Sequence, residues 1–151
     1  MHAAAVAPEV PALSTSRANP PRSLVGLHEA ARHAVLFTGH ELRGSTVVDS
    51  DLDEAPPIAG EPRRLLRILI ELLFDAAYAV NDGDPPHARV ELRVARDGDR
   101  VRATVRTSGA APAREHPGVG LALAHELIAT MGGVLERTGA HFTVAFPIAA
   151  P

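Results

Sequence analysis

The sequence predicts an α/β fold, a two-layer sandwich in which helices cover one face of a mixed sheet. Three observations point there. An apolar stripe at helical spacing runs from Leu65 to Val80. Two segments, Val90 to Ala95 and Val101 to Arg106, alternate apolar with polar residues around the turn signal Asp97-Gly98. The elements follow the order helix, strand, helix, two strands, helix, two strands, which places helices together on one side of a sheet.

Each element has a local cause. Residues 1–22 are rich in Ala, Pro and Ser, with Pro8, Pro11, Pro20 and Pro21. They have little to bury and are expected to form a disordered leader. The domain is expected to span residues 23–148, with 149–151 as a tail. Leu24, Leu27, Ala31, Ala34 and Val35 recur at helical spacing, with Ser23 as the expected N-cap and Gly44 as the stop. Thr46-Val47-Val48 reads as a short strand, ended by Ala55-Pro56-Pro57. Gly60-Glu61-Pro62 is the entry to the strongest helix, with Pro62 in the first turn and Glu61 at the positive end of the dipole. That helix ends near Asn81-Asp82-Gly83-Asp84-Pro85-Pro86, a cluster of breakers. After the hairpin comes an Ala/Pro/Gly-rich loop, Thr107 to Pro117. A further helix is expected from about Val119 to Met131, ending at Gly132-Gly133. Val134 to Arg137 and His141 to Phe146 read as the closing strands.

Composition excludes several kinds of chemistry. The chain has 151 residues, of which 46% are hydrophobic and 3% aromatic. That is one domain with a core of Leu, Val, Ile and Ala. Without Cys there is no disulfide, thiolate metal site or Cys nucleophile. All 15 basic residues are Arg, which removes a P-loop lysine and a Schiff-base lysine. With 18 acidic residues and a formal net charge of -3, the chain is a poor candidate for wrapping nucleic acid. No apolar run approaches the roughly 18 residues of a membrane span. The N-terminus has no basic region ahead of an unbroken apolar stretch, so no signal peptide is read and a cytoplasmic protein is expected.

Three segments occur in order: Glu71-Leu72-Leu73-Phe74-Asp75-Ala76 within the long helix, Gly118-Val119-Gly120-Leu121-Ala122-Leu123-Ala124, and Met131-Gly132-Gly133 through Thr143-Val144-Ala145-Phe146-Pro147. Together they resemble the ATP-binding domain of bacterial sensor histidine kinases. That Bergerat-type (GHKL) fold is shared with gyrase-type ATPases and a heat-shock chaperone. The likeness covers about residues 23–148 and implies an ATP site. The first segment matches the family's N box, in which two Asn stand four apart and the second holds magnesium against the triphosphate. Here those positions are Glu71 and Asp75. Some relatives place a general-base Glu at the first. A carboxylate at the second can bind magnesium but brings negative charge close to the phosphates. Gly109, Gly118 and Gly120 match the nucleotide cradle.

Other positions depart from the pattern. The family's adenine-reading carboxylate falls at Thr107, which cannot supply it. Only eight residues separate Gly109 from Gly118, none of them aromatic, where the family has a long lid. The Gly-Thr before the last strand is Gly139-Ala140. The resemblance with these losses implies a stand-alone, degenerate domain with neither ATP nor magnesium as a working cofactor. It would act as a non-catalytic binding or regulatory module in two-component-type signalling, docking on a histidine kinase, a response regulator or another signalling protein. One alternative is an ATP-dependent protein kinase, acting in trans or as a serine kinase on an anti-sigma-type partner. Glu71 would then be its base and Asp75 its magnesium ligand.

A second alternative is a histidine phosphotransferase. Gly39-His40-Glu41-Leu42-Arg43 resembles a phosphoacceptor motif in which His attacks and the adjacent acid activates it. His40 is the candidate, although such a motif belongs on a dimerising helix pair of roughly 60 residues. The same residues also suit a helix C-terminus, where His40 and Arg43 favour the negative dipole end. Asn81 to Asp84 is read as a turn, and Gly118-Val119-Gly120 either as an anion-binding helix entry or as a packing requirement. Arg89, Arg93, Arg102 and Arg106 straddle the hairpin as a solvated face or as a docking surface for an acidic partner.

Overall fold

A computed structural model describes residues 23–83, 88–108 and 119–150. The leader expected at residues 1–22 lies outside the described residues. The described chain runs β1 (Ser23–Val25), α1 (Leu27–Glu41), β2 (Val47–Leu52), β3 (Ile58–Gly60), α2 (Pro62–Gly83), β4 (Arg89–Asp97), β5 (Arg100–Thr107), α3 (Val119–Thr130), β6 (Val134–Thr138) and β7 (His141–Pro147). Five strands form one sheet in the order β2-β4-β5-β7-β6. β2 pairs parallel with β4 and the other neighbours are antiparallel, so the sheet is mixed. The helices pack on the face presented by Val90, Leu92, Val94, Val101, Ala103, Val105, Phe142, Val144 and Phe146, all buried. The predicted α/β sandwich is the observed one.

α2 is the central helix. Glu61 accepts the first helical bond from Leu65 N at 3.1 Å, and Pro62, which has no N–H to satisfy, opens the first turn. Leu65, Ile68, Leu69, Leu72, Leu73 and Ala76 are fully buried. They form the stripe that the sequence shows, and each buried Leu contributes about 1.5–3 kcal/mol relative to exposure. α1 and α3 pack on α2, and α2 packs in turn on β4 and β5.

The first helix begins later than its pattern predicts. Ser23 is not an N-cap: it opens β1, paired with Gly60 of β3. Gly26 takes the N-cap position, extended and with no side-chain cap. Leu24 fits the helical stripe, yet the pairing of Leu24 with Ala59 and of Val25 with Ile58 holds both extended. β1 and β3 are three residues each, too short for an alternation to be recognised. At the other end the helix stops as predicted, with Gly44 at φ +87. Thr38, buried in the last turn, is satisfied by donating to Ala34 O at 2.8 Å.

The β4–β5 turn is shifted by one residue from its signal. Asp97 pairs with Arg100, leaving Gly98-Asp99 as the two-residue loop. Gly98 has φ +64, so the only positive φ falls where no Cβ resists it. The β6–β7 loop repeats the device with Gly139-Ala140, Gly139 at φ +60. α3 ends in a Schellman arrangement. Gly133 N donates to Ile128 O at 2.9 Å and Gly132 N to Ala129 O at 3.1 Å, with Gly132 at φ +72. Beyond β7, Ala149 N donates to Pro57 O at 2.9 Å, tying the end of the sheet to the β1–β3 ribbon.

If α2 holds the two layers together, truncating its buried face costs a full core substitution. Leu72→Ala is expected to lower unfolding stability by about 2–5 kcal/mol, read from urea denaturation. A loss below about 1 kcal/mol would show that Leu72 does not pack as described.

Candidate functional site

The residues singled out by the resemblance are carried by α2, the first turn of α3 and the end of β5. Glu71 lies at mid-length on α2, on the side turned to α3. Its Oε1 accepts from Arg67 Nε, one turn earlier, at 2.8 Å. Its carboxylate lies against Gly120 and fills the place a Cβ would take there. α3 has no acidic residue in its own first turn. Glu71 therefore supplies, from a neighbouring helix, a negative group beside the positive end of the α3 dipole. The Gly120 requirement is thus one of close approach, with the approaching group a carboxylate of the same chain.

Asp75 follows one turn after Glu71 on the same face of α2 and is 4% exposed. Thr107 is the last residue of β5. Its side chain is buried on the helix-facing side of the sheet, in line with Val105 and Ala103. Its hydroxyl has no hydrogen-bond partner among the described residues, a situation that typically costs about 1–3 kcal/mol. Gly109, Gly118 and the short segment between them lie outside the described residues, and Asp84, at the end of the expected turn, does too. The structure thus brings Glu71 and Gly120 together and sets Asp75 beside Glu71 on one helix face. Among the described residues there is no group of three or more His, Cys, Asp or Glu placed to hold a metal ion.

His40 is elsewhere. It occupies the last turn of α1, exposed, with Nδ1 accepting from Arg43 Nη2 at 2.8 Å. Its helix packs against α2 and β2 within the same domain. A cavity of about 430 Å³ opens at the entry of α2, lined mainly by apolar groups from β1, α1 and α2, with Glu29, His33 and Arg63 at its edge. None of the residues implied by the resemblance lines it.

Sequence reasoning missed the Arg67–Glu71 pair, although the spacing of four is visible on the helix. It also missed the outward aromatic run in which Phe37 meets Phe74 edge-on and Phe74 stacks on Tyr78, centroids 5.9 Å apart. These four-residue steps along α2 could have been read as a second stripe. The Glu71–Gly120 contact is tertiary and had no local signal.

The contact makes a coupling prediction. Gly120→Ala is expected to destabilise by about 0.5–1 kcal/mol, because the end of the Glu71 side chain must swing aside. In a Glu71→Ala background the same substitution should be neutral, or stabilising by up to about 1 kcal/mol through helix propensity. Urea denaturation of the four proteins measures this coupling, and equal effects in both backgrounds would refute the contact.

No protein-family profile matches the sequence. The chain is 28% identical over 116 residues to the sensor histidine kinase ZraS of Escherichia coli O157:H7, a match covering 64% of this chain and 24% of that protein. It thus spans about a quarter of that relative's length. Among solved structures it is similar to the catalytic domain of histidine kinase ThkA, with TM-score 0.66 at 19% identity over 84% of this chain and 97% of that one. The Acinetobacter baumannii histidine kinase AdeS aligns at TM-score 0.66 and 18% identity, covering 85% of this chain and 68% of that one. The mycobacterial sensor histidine kinase MprB aligns at 0.65 and 17%, covering 83% and 97%. The mixed five-stranded sheet with its layer of helices has the fold of a histidine-kinase catalytic domain.

Proposed function

We propose that this chain is a degenerate histidine-kinase catalytic domain that works as a non-catalytic binding module in two-component-type signalling. The observation that carries the reading is the Glu71 carboxylate packed on Gly120. In a nucleotide cradle that helix entry would be left open to phosphate oxygens. Here it faces a negative side chain held by Arg67. Asp75 adds a second carboxylate on the same helix face. At the adenine end, Thr107 offers a buried hydroxyl where a carboxylate would accept from the base. A site built around a polar contact discriminates strongly when that contact is missing. The residues present therefore suit an ATP–magnesium complex poorly. Among the described residues no helix is long and apolar enough to cross a membrane.

The partners expected on this reading are a histidine kinase, a response regulator or another signalling protein. The kinase alternative draws on one feature, the placement of Glu71 and Asp75 on a single helix face. Asp75 would then hold the metal and Glu71 would act as base.

Calorimetric titration with ATP and magnesium, with ADP alongside, separates the two. The non-catalytic reading predicts no heat and no rise in melting temperature at millimolar ATP. Binding at micromolar strength that is abolished by Asp75→Ala would overturn it in favour of the kinase.

A further inference from the structure

The sheet face turned away from the helices has its own chemistry. β4 and β5 place Arg93, Arg102 and Arg106 outward, each exposed. The register sets Arg93 opposite Thr104, Ala95 opposite Arg102, and Glu91 opposite Arg106. Arg93 is therefore diagonal to both other arginines, at the roughly 7–8 Å of diagonal cross-strand neighbours. Between them the floor is low. Ala95 and Thr104 have short side chains, and β7 adds Thr143 opposite Thr104 and Ala145 opposite Arg102. The result is a depression of about 230 Å³ lined by Arg93, Ala95, Arg96, Asp97, Arg102, Thr104 and Arg106. Four guanidinium groups and the Asp97 carboxylate line it, with Asp51 beside Arg93 and Glu91 opposite Arg106, in a chain whose net charge is -3.

Acids of the same face orient part of this charge without consuming it. Asp51 pairs with Arg93 at 3.3 Å, and Asp97 with Arg102 at 2.5 Å. Each guanidinium has five N–H donors, so one carboxylate leaves an edge available. Arg96 donates through Nε to Gly98 O at 2.9 Å, which pins it at the rim. The Arg106 guanidinium makes no hydrogen bond or ion pair among the described residues, although Glu91 is its cross-strand neighbour. Like charges on one sheet face oppose each other, and a negative partner would relieve that. Guanidinium groups match carboxylates as planar, two-donor forks and are weakly hydrated, so pairing costs them less desolvation than it costs lysine.

We propose that this depression docks an acidic protein segment, whose carboxylates pair with Arg93, Arg102 and Arg106. The spacing favours such a segment. In an extended chain, residues two apart share one face about 7 Å apart, the diagonal spacing of the three arginines. The proposal rests on the reading of the chain as a partner-binding module and adds the chemistry of the partner.

Fluorescence anisotropy with a labelled deca-glutamate peptide at about 50 mM salt tests it, near a Debye length of 10 Å or more. Binding should be saturable and weaken about tenfold or more by 300 mM salt, as surface charges are screened. Arg106→Gln breaks no ion pair of the fold and sets no carboxylate opposite Glu91, so it should keep the parent melting temperature while weakening binding about threefold or more. The double variant Arg93→Gln/Arg106→Gln should abolish binding. Arg32→Glu, a larger charge change on exposed α1, should stay within about twofold of the parent. Three results would overturn the proposal. One is no binding up to millimolar peptide. Another is an equal loss in Arg32→Glu. The third is binding of inorganic tripolyphosphate without the peptide, which would make the depression a phosphate site. The ATP titration reads the non-catalytic assignment separately, so either proposal can fail alone.

Discussion

The packing of one face of α2 against the sheet sets the position of everything else. Leu65, Ile68, Leu69, Leu72, Leu73 and Ala76 are sealed between the sheet and the flanking helices. A helix repeats every 3.6 residues, so burying that stripe fixes the azimuth of every other residue on it. Glu71 and Asp75 are turned to one flank because Leu72 and Ala76 are turned to the core. A one-residue slip would rotate the helix by about 100° and exchange polar for apolar contacts along its whole length. The apolar pattern thus carries the fold and places the polar positions, while leaving open which side chains occupy them.

That separation explains how the fold persists while its polar site changes. The core requires volume and periodicity, and both are satisfied. The first turn of α3 favours something else, a negative group beside its positive end. Glu71 comes to that turn from α2 and is steadied by Arg67. Negative charge beside the helix entry is then supplied from within the chain. The same contact favours glycine at 120, since a Cβ would displace the end of the Glu71 side chain. A glycine there looks identical in sequence whether it cradles a phosphate or accommodates a carboxylate, and only the tertiary neighbour distinguishes the two.

Much of the architecture was legible because it follows from local periodicity. The α2 stripe, the alternation in β4 and β5, and the glycine stops at Gly44 and Gly132 all survive in the structure. The misreadings come where tertiary pairing overrides a local pattern. Leu24 continues the spacing of α1, yet three backbone pairs with β3 draw residues 23–25 into a strand. The hairpin turn was identified by its residues but misplaced by one, because Gly98 must occupy the first loop position to absorb the positive φ. At the site, sequence supplied the identities of Glu71, Asp75, Thr107 and Gly120. It could not supply the Glu71–Gly120 approach, which joins residues 49 positions apart in sequence.

The two faces of the sheet obey opposite rules. The helix-facing side is filled by Val, Leu and Phe, where any charge would be costly to bury. The other side carries arginine in successive rungs of β4 and β5, with acids on β2 and at the hairpin end. Charge along an outer face and on an edge strand such as β2 opposes sheet-to-sheet association, so part of this pattern serves solubility alone. Solubility would be served equally by paired charges of either sign, and by lysine. The concentration of guanidinium around a floor of Ala and Thr, with the Arg106 guanidinium in no ion pair among the described residues, exceeds that need. On the helix side the polar positions are closed by a carboxylate of the same chain. Of the two surfaces, the open sheet face is the one whose charge remains incompletely matched, and a charged partner can gain most there.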